Sequence, residues 1–173
     1  MSMSDLDEGL RLVDHAAHPR TFFVGPRAEE LVAAAEAALG LRFPETYRRF
    51  VRERGAGSVR GVEFFGVTTT NFLSGNVPNG PWLTLDRRRA WKLSPSLVII
   101  QHRNDGPDVA LDATQADSVD GEWPVVLWRP GVTQPGDKLE RVASDFGSFF
   151  LQQVRQLLDR EDENHEGDDD GAD

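Results

Sequence analysis

Glu36-Ala37-Ala38-Leu39-Gly40-Leu41-Arg42-Phe43-Pro44-Glu45-Thr46-Tyr47-Arg48-Arg49-Phe50 holds the end of one helix and the start of the next. Upstream, Leu31, Ala35 and Leu39 recur at i, i+4 and i+8, with Val32 and Ala28 flanking the stripe, which predicts a helix over 27–39. Gly40 stands where a left-handed glycine ends a helix. Pro44 is expected at the first position of the second helix, and Glu45 suits its first turn through the macrodipole. Phe43, Tyr47, Phe50 and Val51 then share a face, while Arg48, Arg49, Arg52 and Arg54 take the others. Gly55-Ala56-Gly57 stops the pattern. The expectation is an αα-hairpin with one apolar side.

Outward from the hairpin, residues 5–18 predict a short helix with Leu6, Leu10 and Val13 near one face, and 21–25 is a short apolar run closed by Gly25-Pro26. Downstream, 62–67 reads as a strand and the Thr- and Asn-rich 68–80 as a loop. A helix is expected over 83–93, with Arg87-Arg88-Arg89 on its solvated face. Leu97-Val98-Ile99-Ile100 predicts a strand buried on both sides, because four consecutive apolar residues leave no polar face. Asn104-Asp105-Gly106-Pro107 predicts a turn, followed by strands over 108–112 and 124–128. Phe146, Phe149, Phe150, Val154, Leu157 and Leu158 fall at helical spacing and predict a last amphipathic helix.

A chain of 173 residues, 39% apolar, suits one domain with its own core. It has no cysteine, which excludes disulfides, thiolate catalysis and Cys-ligated zinc, and fits a reducing compartment. No segment approaches the roughly 20 apolar residues that span a bilayer. Met1-Ser2-Met3-Ser4-Asp5 lacks the basic-then-apolar order of a signal peptide, so the cytoplasm is the expected location. The net charge of −10 is unevenly placed: residues 159–173 carry nine acids against Arg160, a net of −8, and leave −2 for residues 1–158. Nucleic-acid binding, which rests on cationic contacts to phosphate, is disfavoured by that balance. The expected plan is an N-terminal extension over 1–26, a domain over 27–158, and an acidic tail over 159–173 that is disordered because it has neither apolar anchors nor periodicity.

The order of these features resembles the SUKH superfamily, which includes YobK-like antitoxins and the SMI-KNR domains. The matching pieces are the Glu36…Leu39-Gly40 helix end, Phe43-Pro44, Tyr47 and Phe50 three apart, the Gly55/Gly57 break and Phe65-Gly66. Residues 97–100, Asp105-Gly106-Pro107-Asp108 through Asp112, 124–128 and Ser144-Asp145-Phe146 into the last helix complete the series. The resemblance implies an α+β fold: an N-terminal αα-hairpin, a central mostly antiparallel sheet with an inserted helix, and a C-terminal helix packed on the sheet. It also implies a binding role, typically as an immunity protein that neutralises a polymorphic toxin, often a nuclease. The fungal branch, regulators of cell-wall synthesis, implies the alternative of a scaffold for housekeeping partners. No catalytic residue and no cofactor comes with it.

The residues themselves are weighed against catalysis in the same way. His15 and His18 flank a helix end with only Asp14 near, and His165 lies in the tail, so no metal site is expected. His102 with Asp105 and Asp108 has the composition of an acid–base or metal site, but the turn reading, in which Asn104 and Asp105 cap their own backbone, is preferred. Ser58 lacks a Gly-x-Ser-x-Gly elbow, and no Lys-bearing glycine loop for phosphate is present. The protein is therefore expected not to be an enzyme. The expected partner surface is Asn71, Phe72 and Leu73 on the long loop, with Trp82 and Trp91 after it, because aromatics dominate interface energetics. Asp105 and Asp108 are added as carboxylates that speed association with a basic partner.

Overall fold

The computed structural model describes residues 2–165, with side chains described to residue 160. In chain order the elements are α1 (Ser2–His15), β1 (Phe22–Phe23), α2 (Glu29–Leu39), α3 (Glu45–Arg54), β2 (Gly57–Val59), β3 (Val62–Phe64) and α4 (Gly80–Trp91). Then follow β4 (Leu97–His102), β5 (Asp108–Asp112), a 3-10 turn, β6 (Val125–Trp128), β7 (Glu140–Ala143) and α5 (Phe146–His165). The fold is α+β, with two antiparallel sheets ordered β1-β2-β3 and β4-β5-β6-β7 and with α5 packed on the sheet.

The two sheets are joined where β4 bulges. The pairing of β4 with β5 slips between Ile99 and Gln101. Ile100 is thereby released from the ladder, and its carbonyl accepts the Phe65 N–H at 2.7 Å. Gln101 Nε2 adds a bond to the Glu63 carbonyl at 3.1 Å. The buried run in β4 divides by face, as its composition requires. Val98 and Ile100 join the larger core with α1, α2, α3 and α5, whereas Leu97 and Ile99 join a second core with Leu83, Phe65 and Trp128 under α4.

The hairpin is held by its own motif residues. Gly40 adopts φ 70°, and Leu41 N–H reaches back to the Glu36 carbonyl at 3.1 Å, a helix end that only glycine takes without strain. Glu36 Oε1 accepts from Phe43 N–H at 3.0 Å and from Arg48 Nε at 2.9 Å, tying the turn to the second helix. Pro44 sits one place earlier than expected, as the extended residue before the helix, with ψ 154°. Tyr47, fully buried, donates its hydroxyl to the Phe65 carbonyl at 2.9 Å, and burial pushes its pKa up. Next to it, a Cβ on Gly66 would lie 1.8 Å from the Gly55 carbonyl, so the two backbones can meet only at glycine.

Several segments differ from the sequence expectation. Leu6, Leu10 and Val13 of α1 belong to the main core, and Arg54 pairs with Asp14 at 2.8 and 2.7 Å, so residues before 27 contribute packing. Ser58, expected in a loop, lies in β2 with its hydroxyl donated to the Arg20 carbonyl. Residues 159–165, expected disordered, continue α5, since no glycine or proline interrupts 148–166; the rest of the tail lies outside the described residues. Only Arg89 of the arginine triplet is solvated. Arg87 binds Asp108, and Arg88 donates to the Leu39 and Pro95 carbonyls, both at 2.8 Å.

Two buried carboxylates pin the helix starts. Asp145 accepts from Ser148 N–H at 2.8 Å at the start of α5. Burial works to raise its pKa, but the bonds from Ser148, Ser144 and Ser2 outweigh it and hold the group below its ordinary value. Glu122, carried on a distant loop, accepts from Thr46 N–H at 3.0 Å and Thr46 Oγ1 at 2.6 Å at the start of α3. Its burial raises its pKa despite those two bonds, with Asp145 and Asp120 adding to the rise. Folded Glu122 therefore keeps its proton to higher pH than the unfolded chain does, and its contribution to stability declines as pH rises through that window. Glu122→Gln, which keeps an acceptor and sheds the charge, is expected to be at least as stable as the parent at pH 7 and to lose that advantage near pH 4. Glu122→Ala is expected to cost about 2 kcal/mol at both, because Thr46 is left unpaired. Urea unfolding at the two pH values checks this, and a Gln variant as damaged as the Ala variant contradicts it.

Candidate functional site

A groove of about 1120 Å³ opens between the middle of α5 and one end of the joined sheet. Its floor is a single row across the strands. Gln101 pairs with Val109, Val109 with Leu127 and Leu127 with Glu140, and all four line it. Opposite them, Phe149, Gln152, Gln153, Gln156, Leu157 and Arg160 present one face of α5. Phe149 and Leu157 are core residues, so the groove has an apolar base and a polar lip. Phe22, on the two-residue edge strand β1, is 58% exposed at the rim and is the aromatic side chain most open to solvent there.

His102 and its turn form one end of the groove. The His102 Nδ1 lies 2.6 Å from Asp108 Oδ1, and Arg87 Nε donates to Asp108 Oδ2 at 2.8 Å. Asp108 is 0% exposed, and its carboxylate is paired with the Arg87 guanidinium of α4 on one side and hydrogen-bonded to the half-exposed imidazole on the other. This corrects the expectation for Asp108. It is directly across the ladder from His102, faces inward, and has no free oxygen to offer a partner. The turn is also built differently: its closure is the Gly106 N–H to the Arg103 carbonyl, and Asp105 pairs with Arg103 Nε at 3.2 Å instead of capping its own backbone. Asp105 itself is exposed and lines the groove.

The remaining residues expected to meet a partner do not form one surface. Asn71 closes its own turn by accepting from Ser74 N–H at 3.1 Å, and Phe72 packs on the main core. Leu73 is 73% exposed. Trp82 packs against the second core and is covered by Gly75, where a Cβ would lie 3.0 Å from the indole. Trp91 stands nine residues along α4, two and a half turns, and hence on the opposite side, against Gly131. Phe22 and the three glutamines were missed by sequence reasoning. The only available signal was that 152, 153 and 156 are polar on a helix whose other positions carry the apolar stripe.

Among the described residues, no group of three or more His, Asp or Glu side chains is placed to hold a metal. No helix there is long and apolar enough to cross a membrane. The αα-hairpin, the bulge-joined antiparallel sheets, the inserted α4 and the closing α5 define a SUKH-type α+β domain. The family model described as SMI1-KNR4 cell-wall, SUKH_6, matches residues 29–150, and the chain belongs to that family.

Proposed function

We propose that the protein is an immunity protein that binds and neutralises a protein toxin in the cytoplasm, acting by coverage of the toxin surface and without catalysis. The observation that carries this reading is the groove with exposed Phe22 at its rim, beside a helix end rich in acids. α5 carries Asp159, Glu161, Asp162 and Glu163 in its last turns, directly after the groove-lining Gln156 and Leu157. Such an end favours encounter with a basic surface, as a nuclease domain has, and an aromatic at the rim supplies a buried anchor once the partner closes over it.

Phe22→Ala is expected to raise the Kd for the toxin about 30-fold, corresponding to an anchor worth about 2 kcal/mol. The stability should move by no more than about 0.5 kcal/mol, since the ring is already exposed. Calorimetric titration of the purified pair measures it, and an unchanged Kd counts against the groove as the contact face. The family description, cell-wall, favours a second reading, a regulatory scaffold. That reading expects several housekeeping partners in a pull-down and no toxin gene beside this one.

A further inference from the structure

The glutamines of α5 are the feature of the groove that the fold does not use. Gln152, Gln153 and Gln156 all line it, and none of their side-chain amides makes a hydrogen bond to another described residue. Four other polar side chains of the groove are committed: Ser58 to the Arg20 carbonyl, Gln101 to the Glu63 carbonyl, His102 to Asp108, Asp105 to Arg103. Each free amide offers both a carbonyl acceptor and an NH₂ donor, the same pair of functions that a peptide unit exposes.

Spacing decides what they fit. Gln152 and Gln156 are one helical turn apart, about 6 Å along α5. Alternate residues of an extended chain repeat at about 6.6–6.8 Å, and their backbone groups turn to the same side. The groove face from Phe149 to Arg160 is about 16 Å long, the length of roughly five extended residues. The apolar base, Val109, Leu127, Phe149 and Leu157, would meet every second side chain of such a segment.

We infer that the groove binds an extended segment of about five residues of the partner polypeptide, its backbone hydrogen-bonded by the amides of Gln152, Gln153 and Gln156. This deepens the immunity reading and rests on it, by stating how the partner is held. Backbone recognition of this kind tolerates variation at the side chains that face solvent and demands small or apolar residues at those that face the floor.

The test uses the full chain as bait for a phage-displayed library of linear heptapeptides, followed by calorimetric titration of the enriched sequences as synthetic peptides. Enriched peptides are expected to bind the parent chain, and Gln152→Ala/Gln156→Ala is expected to weaken them at least about 10-fold. N-methylation of alternate peptide nitrogens should have a similar effect. Both glutamines are exposed, so the double variant should melt with the parent. Failure to enrich any linear peptide, or equal affinity for the double variant, overturns the inference. If the parent and the double variant protect cells equally from the cognate toxin, the inference falls while the immunity reading stands. If the parent itself gives no protection, it is the immunity reading that falls, whatever the peptides do.

Discussion

Replacing Phe150 by alanine is expected to lower stability by about 3–5 kcal/mol, the largest loss of any single change considered for this chain. The ring is completely buried and meets Phe64 edge-on at 4.9 Å, Phe50 in a tilted contact at 5.5 Å and Phe146 in a stacked one at 6.0 Å between centroids. It thus touches β3, α3 and α5 together. Gly9 of α1 closes the fourth side, where a Cβ would lie 2.7 Å from the ring. No neighbour is free to collapse into the space, because those rings already pack on one another, so the cavity term is felt in full. At this chain length the midpoint of thermal unfolding should fall by about 6–20 °C. Scanning calorimetry measures it, and a loss below about 1 kcal/mol contradicts the assigned core.

Asp108→Ala is expected to be the next most damaging, at about 3 kcal/mol. The carboxylate is the meeting point of α4, through Arg87, and the groove turn, through His102. Its removal leaves a partly buried guanidinium with only the looser Asp86 contact at 3.7 Å and unties the inserted helix from β5. Losses of Arg87 and Asp108 should therefore not add: in the cycle of Arg87→Ala, Asp108→Ala and the double variant, the coupling is expected to exceed about 1 kcal/mol. Denaturant titration of the four proteins reads it directly. Additivity within about 0.5 kcal/mol contradicts the ion pair as a structural tie.

The hairpin was legible because its determinants are local. Leu39-Gly40 and Phe43-Pro44 act within a few residues of themselves, so helix stop, turn and restart can be read without knowing the rest of the fold. The strand over 97–100 was legible for a similar reason, its burial on both faces being written in four successive side chains. β7 was not. Glu140-Arg141-Val142-Ala143 is short and half exposed, with no alternation of apolar and polar residues that would mark it as a strand. Asp108 was misread because its partner Arg87 lies 21 residues upstream on another element, and a carboxylate after a turn looks solvated until that pairing is known. The groove was illegible for the most general reason. Gln101, Val109, Leu127 and Glu140 become neighbours only through the strand register, and Gln152, Gln153 and Gln156 face them only once α5 is docked.

In the function proposed, this chain disarms a toxin by holding it. The most direct test of that function is growth of cells expressing a candidate toxin domain, taken from a reading frame beside this one, with and without this chain. Restored growth together with a stoichiometric complex on gel filtration is the expected result. Cells that stop growing although the chain is present, folded and soluble, with no complex recovered, would contradict it.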